Sequence, residues 1–146
     1  MKKNIYIGID PDNNKSGIAF YNTEIKELIL LNLDFFELIQ YLKNIYNKNV
    51  LIIIEKGELN KFMFTAQNKK KSVALKIATG VGKNFAITDL LIEFCKLNNF
   101  DYKIYVPKGK KFKSEFMQKN FGIKRSNQET RDAVRCILQY LPLKFY

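Results

Sequence analysis

Residues 50–54 read Val-Leu-Ile-Ile-Ile and stop at Glu55. A continuous apolar run rich in β-branched residues, with no polar alternation, predicts a strand buried on both faces, as in a parallel pair at the centre of a sheet. That one segment demands helices on both sides of the sheet and so restricts the chain to an α/β architecture. A second apolar run, Ile5-Tyr6-Ile7-Gly8-Ile9, also ends abruptly in an acid, Asp10. If the two strands lie side by side and parallel, both carboxylates emerge at the same edge, where α/β sheets place their sites. Either acid alone is read more simply as the point where a strand meets solvent. Two apolar strands that both end this way make that coincidence less comfortable.

The rest of the chain fits around these runs. Residues 11–17 are dense in turn chemistry, and residues 18–21 and 27–33 complete a three-stranded antiparallel meander. Asp34 is placed to cap a helix over residues 35–46, with Phe36, Ile39, Leu42 and Tyr46 near helical spacing. Ser72 opens a long helical pattern in which Val73, Ile77, Val81 and Phe85 recur every four residues and an apolar face continues to Leu97. Gly80 and Gly82 interrupt it at about 1 kcal/mol each, and such glycines mark a kink or a close approach by another backbone. A short strand over residues 102–106 stops at Pro107. A helix over residues 114–121 ends at Gly122, and a last helix spans about residues 126–141. The order β-β-β-α-β-α-β-α-α predicts one mixed α/β domain over residues 1–146, without repeat or linker. Cys95 and Cys136 lie in helix-like apolar patterns and read as buried hydrophobes of a reducing compartment. The N-terminal apolar stretch is too short for a signal segment and no run approaches membrane-spanning length, so a cytoplasmic protein with no membrane partner is expected.

Charge narrows the chemistry. The chain carries 25 Lys and Arg against 14 Asp and Glu, a net charge of +11, and it has no histidine. Residues 1–68 hold 8 basic and 8 acidic side chains, so the entire excess lies in residues 69–146. Such asymmetry points to a polyanion, most simply nucleic acid. The absence of histidine excludes Ser-His-Asp and Cys-His catalysis and any His-bearing zinc site. What remains are carboxylates, lysines and metal ions.

Two more acids stand in the segment Ser126-Asn127-Gln128-Glu129-Thr130-Arg131-Asp132-Ala133. Glu129 and Asp132 are three apart and share a helix face. Ser126 with Glu129 forms an S-x-x-E capping-box pattern, which accounts for the glutamate without any function. Asp132 lies beyond the first turn, and its plain alternative is an ion pair with Arg131 or Arg135. Four acids in one pocket would repel one another unless divalent cations neutralised them, and Mg²⁺ or Mn²⁺ suit oxygen ligands and phosphodiester hydrolysis. Two motif-like segments fail. The run from Asp10 starts like a calcium loop but has Lys15 and Tyr21 where Gly and Glu are needed. Gly80-Val81-Gly82-Lys83-Asn84 lacks the first Gly and the Ser/Thr of a phosphate loop.

Ile7-Gly8-Ile9-Asp10-Pro11 followed by Ser16-Gly17-Ile18-Ala19, then Ile53-Ile54-Glu55, Gly82 in the long helix, and Asn127-Gln128-Glu129-x-x-Asp132-Ala133 resemble the RuvC family of Holliday junction resolvases. The likeness is strongest to the compact phage and poxvirus-type members and runs over nearly the whole chain. It implies a ribonuclease H-like fold, a five-stranded mixed sheet flanked by helices. It further implies a homodimer acting on branched DNA, four-way junctions above all, and cutting by paired nicks that leave 5′-phosphates. Asp10, Glu55, Glu129 and Asp132 would be the catalytic metal ligands for two Mg²⁺ or Mn²⁺ ions per site. Glu129 departs from the Asp or His found in many members. Lys108 and Lys113, after the last strand, match the place of family lysines, with plain phosphate contact as their alternative role. An aromatic after the second acid would wedge into the junction, and Phe62 or Phe64 holds that place; a fold back into the core is the other reading of these rings. Lys69, Lys70, Lys71, Lys83, Lys110, Lys111, Lys124 and Arg125 are the cations expected along the DNA. The long helix is expected beside the active site and in the dimer contact. Two alternatives stand beside this reading: another nuclease of the same fold acting on RNA–DNA hybrids or flaps, and a binding module without catalysis.

Overall fold

The computed structural model describes residues 2–45, 49–57 and 70–141. Phe62, Phe64, Lys69 and Tyr46 lie outside the described residues. The elements follow the expected order: β1 (Ile5–Asp10), β2 (Ser16–Asn22), β3 (Glu27–Leu33), α1 (Phe35–Asn44), β4 (Val50–Glu55), α2 (Lys71–Leu97), β5 (Asp101–Tyr105), α3 (Ser114–Phe121) and α4 (Gln128–Leu138). The strands form one five-stranded mixed sheet in the order β3-β2-β1-β4-β5, with β1 at the centre. β1 pairs antiparallel with β2 and parallel with β4, and β5 is parallel to β4.

Side-chain alternation sorts the strand residues onto two faces. Ile7, Ile9, Ile18, Ile52 and Ile54 point toward α1 and α2, where Leu38, Leu42, Leu91 and Cys95 complete one core. Tyr6, Ala19, Tyr21 and Ile53 face α3 and α4 and pack on Met117, Ala133, Val134, Cys136 and Ile137. Val50, Ile52, Ile53 and Ile54 are all essentially inaccessible, so the run at residues 50–54 is covered on both faces as its composition requires. Each such side chain contributes about 1.5–3 kcal/mol by leaving water.

Local chemistry sets the element ends. Asp34 caps α1 through a complete capping box: its Oδ1 accepts from the Glu37 amide, while Glu37 Oε2 accepts from the Asp34 amide. Gly122 ends α3 in the left-handed conformation at φ 67°. The inward stripe of α1 is Leu38 and Leu42, and Phe36 stands 82% exposed, one residue off the apolar face expected for it.

The glycines behave differently from expectation. α2 runs unbroken through Gly80 and Gly82, and among the described residues nothing lies within 4 Å of a Cβ built at either. The tight contacts are instead in the sheet. A Cβ on Gly8 would sit 2.0 Å from the Ala133 carbonyl oxygen, and one on Gly17 would sit 2.2 Å from that of Glu129. Glycine inside a strand signals close approach by another backbone, and here the first turns of α4 lie directly on β1 and β2.

Candidate functional site

β1 and β4 run parallel in the register Ile5↔Val50 to Ile9↔Ile54, so Asp10 and Glu55 follow at the same step. Both share a face with Gly8 and Ile53, the face covered by α4. Because Gly8 and Gly17 admit the helix backbone so closely, Asp132 is lowered between the contacts at Glu129 and Ala133 and meets the strand ends. Carboxylate oxygens of Asp10, Glu55 and Asp132 all lie within 4.8 Å of one another. Three acids 45 and 77 residues apart in sequence thus converge at the carboxyl edge of the two innermost parallel strands.

Their electrostatics match that crowding. Burial, followed by the charges of Glu55 and Asp132, pushes Asp10 up from 3.8 to about 8. Burial and Asp132 push Glu55 up from 4.5 to about 7, against the pull of Arg135 and Lys111. Asp132 is 3% exposed at its side chain and is held from three sides. Its Oδ1 accepts from Gln128 Nε2 at 2.9 Å and lies 3.6 Å from the Arg135 guanidinium, and its Oδ2 lies 3.2 Å from Lys111 Nζ. Glu55 Oε2 is buried with no hydrogen-bond partner among the described residues. An orphaned carboxylate oxygen costs free energy unless a cation or donor meets it. Oxygen-only donors, convergent and partly unpaired, are the set that hard divalent cations take.

Glu129 lies outside the 4.8 Å cluster, although its charge still raises Asp10. Its capping explanation also fails. α4 begins one residue later than the Ser126 pattern requires, with Asn127 as the cap and its Oδ1 accepting from the Thr130 amide at 3.0 Å. Ser126 instead accepts from Arg131 through its carbonyl and its Oγ. Glu129 is therefore a half-buried acid at the rim of the site with no capping duty.

The segment after β5 is clipped to α4 by two arginines. Arg131 Nε donates to the Phe112 carbonyl at 3.0 Å, and Arg135 donates to the Lys108 carbonyl at 2.8 Å. The Arg135 guanidinium also lies 5.8 Å from the centre of the Phe112 ring, which stacks on Phe116 of α3. Between these clips Lys111 reaches Asp132. Of the lysines following β5, the family resemblance pointed to Lys108 and Lys113; the ion pair to the carboxylates is made by Lys111. Lys108, Lys110 and Lys113 of the same segment are exposed, as are Lys124 and Arg125 before α4, Lys70 at the N-cap of α2, and Lys71 and Lys83 on α2.

A cleft of about 190 Å³ opens beside the carboxylates, lined by Asp10, Pro11, Glu55 and Gly57 on the sheet side and Val81, Asn84, Phe85 and Thr88 on α2. The expected proximity of the long helix to the site is thereby met. Asn84 ties the helix to the β1–β2 loop, accepting from the Asn13 amide at 2.9 Å. Cys136 and Cys95 are both buried, and burial raises both thiols, Cys95 to about 12. Both are structural, as their patterns predicted. No helix among the described residues is long and apolar enough to cross a membrane.

Neither a protein-family model nor a curated protein matches this sequence. Among solved structures, T. thermophilus RuvC in complex with a Holliday junction substrate matches with a TM-score of 0.57 and 13% identity, over 93% of this chain and 91% of that one. The fold is thus RuvC-like, of the ribonuclease H-like kind. The likeness shown is to the fold of the T. thermophilus protein.

Proposed function

We propose that this chain is a divalent-metal-dependent endonuclease that cuts branched DNA, four-way junctions foremost. The observation that carries the reading is the convergence of Asp10, Glu55 and Asp132 with Glu55 Oε2 left unpaired. A pure binding module gains nothing by aiming buried carboxylates at phosphates, since each must be desolvated and repelled by its neighbours. Asp10, Glu55 and Asp132 would hold Mg²⁺ or Mn²⁺, with Glu129 at the rim as the fourth ligand of a two-ion site. Bound ions supply charge neutralisation and an activated water for phosphodiester hydrolysis. Hydrolysis forms a new bond from water oxygen to phosphorus and breaks the P–O3′ bond, leaving a 5′-phosphate and a 3′-hydroxyl.

The chain's own residues set the geometry. Gln128 and Arg135 fix the Asp132 carboxylate, and the arginine clips hold the loop of residues 106–113 at the rim. Lys108, Lys110 and Lys113 on that loop, together with the exposed Lys70, Lys71, Lys83, Lys124 and Arg125, would contact phosphates, where the excess of +11 has its use. Four-way junctions present two equivalent strands, which a homodimer would nick in pairs. The aromatic wedge assigned to Phe62 or Phe64 belongs to this proposal as well.

The test is Mg²⁺-dependent cleavage of an immobile four-way junction, a linear duplex and an RNA–DNA hybrid, repeated with Asp10→Asn. The expected result is preferential junction cleavage with symmetric nicks, reduced at least about a thousandfold by the substitution. Preferential cleavage of the hybrid favours the other nuclease reading, and undiminished cleavage by Asp10→Asn removes the site.

A further inference from the structure

Lys111, expected only as one of the cations along the DNA, has a distinctive setting. Lys111 places its ammonium 3.2 Å from Asp132 Oδ2, and its charge also acts on Asp10 and Glu55. It thus contacts one of the three clustered carboxylates and acts by charge on the other two. Its neighbour at the same carboxylate, Arg135, is built to stay. That side chain is 5% exposed, bonded to the Lys108 carbonyl and set against the Phe112 ring. Lys111 is built to leave. Its side chain is 67% exposed, on a flexible four-carbon stem. The backbone on either side is fixed, through the Lys108 carbonyl to Arg135 and the Phe112 carbonyl to Arg131. The ammonium can swing without moving the loop.

We infer that Lys111 is a displaceable counter-ion: it stands in for the metal in the free protein, is expelled when a divalent cation binds, and is handed to the DNA phosphate at the same rim. The inference rests on the metal-centre reading above and adds to it a coupling between metal loading and substrate binding. Two cations cannot share one oxygen of Asp132 without mutual repulsion, so the ammonium and the metal compete. Once released, Lys111 joins Lys108, Lys110 and Lys113 on the exposed edge of the same loop, where a phosphate is the nearest anion a bound duplex offers.

The experiment is Mn²⁺ titration by calorimetry without DNA, on the full chain and on Lys111→Met and Lys111→Arg. Removing the competitor should tighten Mn²⁺ binding about fivefold in Lys111→Met, the size of a partly exposed ion pair. Lys111→Arg should bind as the unaltered chain does. A gain in affinity is a readout that misfolding cannot produce. In parallel, junction affinity in Ca²⁺ should exceed that in chelator for the unaltered chain, and Lys111→Met should lose most of that difference. Equal Mn²⁺ affinity in the unaltered chain and Lys111→Met overturns the handover and leaves the metal centre standing. Absence of Mn²⁺ binding to either overturns the metal centre, and the handover with it.

Discussion

α4 and α2 are opposite kinds of helix. α4 has 11 residues, of which Thr130, Asp132, Ala133, Val134, Arg135, Cys136 and Ile137 are buried, and it rests on strand glycines that leave no room for a methyl group. α2 has 27 residues, of which Thr88, Leu91 and Cys95 are buried, and its own glycines meet no other described residue within 4 Å of a built Cβ. Val73 and Leu75 near its start are 45% and 68% exposed. The short helix carries Asp132 to the strand ends and is buried along most of its length. The long one borders the cleft and is anchored by its C-terminal half. Glycine serves close packing in one case and only lowers helix propensity in the other, and the element facing it decides which.

The contrast breaks most readily at the strand glycines. Gly8→Ala or Gly17→Ala should destabilise the chain by about 3 kcal/mol or more, because the clash is with backbone that cannot rotate away. Urea denaturation measures it, and a change below 1 kcal/mol would mean that α4 is free to lift. Next in size is Arg135→Ala, expected to cost about 3 kcal/mol by stranding Asp132 and freeing the Lys108 carbonyl. The same substitution should increase proteolytic cutting in residues 106–113.

A pH series sharpens the role of α4 further. Asp10 and Glu55 titrate at about 8 and about 7 in the fold, against 3.8 and 4.5 as free groups. Between about pH 4 and 8 the folded chain therefore binds more protons than the unfolded one. The stability this supplies is full below pH 4 and is lost as pH rises through the folded values. The melting temperature without metal should fall by several degrees from pH 5 to 8. Excess Mg²⁺ should raise it most at pH 8, where both carboxylates are free to ligate. Asp10→Asn should flatten the slope. The smallest effect belongs to α2: Gly80→Ala and Gly82→Ala should each stabilise the chain by about 0.5–1 kcal/mol, since no described residue stands in the way of a methyl group.

Much of this was legible in the residues. The run at residues 50–54 dictated a doubly covered strand, and two apolar strands ending in Asp10 and Glu55 placed two acids at one edge. Both follow from the two-residue period of strands, which a sequence displays directly. Asp34 as a cap and Gly122 as a terminator were equally local. What stayed hidden was long-range. That Asn127 caps α4 in place of Ser126 depends on which residue leaves helical geometry first, a shift of one position that frees Glu129. That Lys111 meets Asp132 depends on where two arginines grip a loop, and five lysines in residues 103–113 offer no periodicity to choose among them. Gly8 and Gly17 did carry a signal, as glycines inside strands. Their meaning required knowing that α4 crosses there.

The central claim is that Asp10, Glu55 and Asp132 form one metal centre. Anomalous diffraction from a crystal soaked in Mn²⁺ tests it most directly. Manganese density about 2–2.4 Å from oxygens of all three carboxylates, with Glu55 Oε2 now ligated, is the result expected. Manganese bound elsewhere, with Glu55 Oε2 still unpaired beside Asp10 and Asp132, would contradict it.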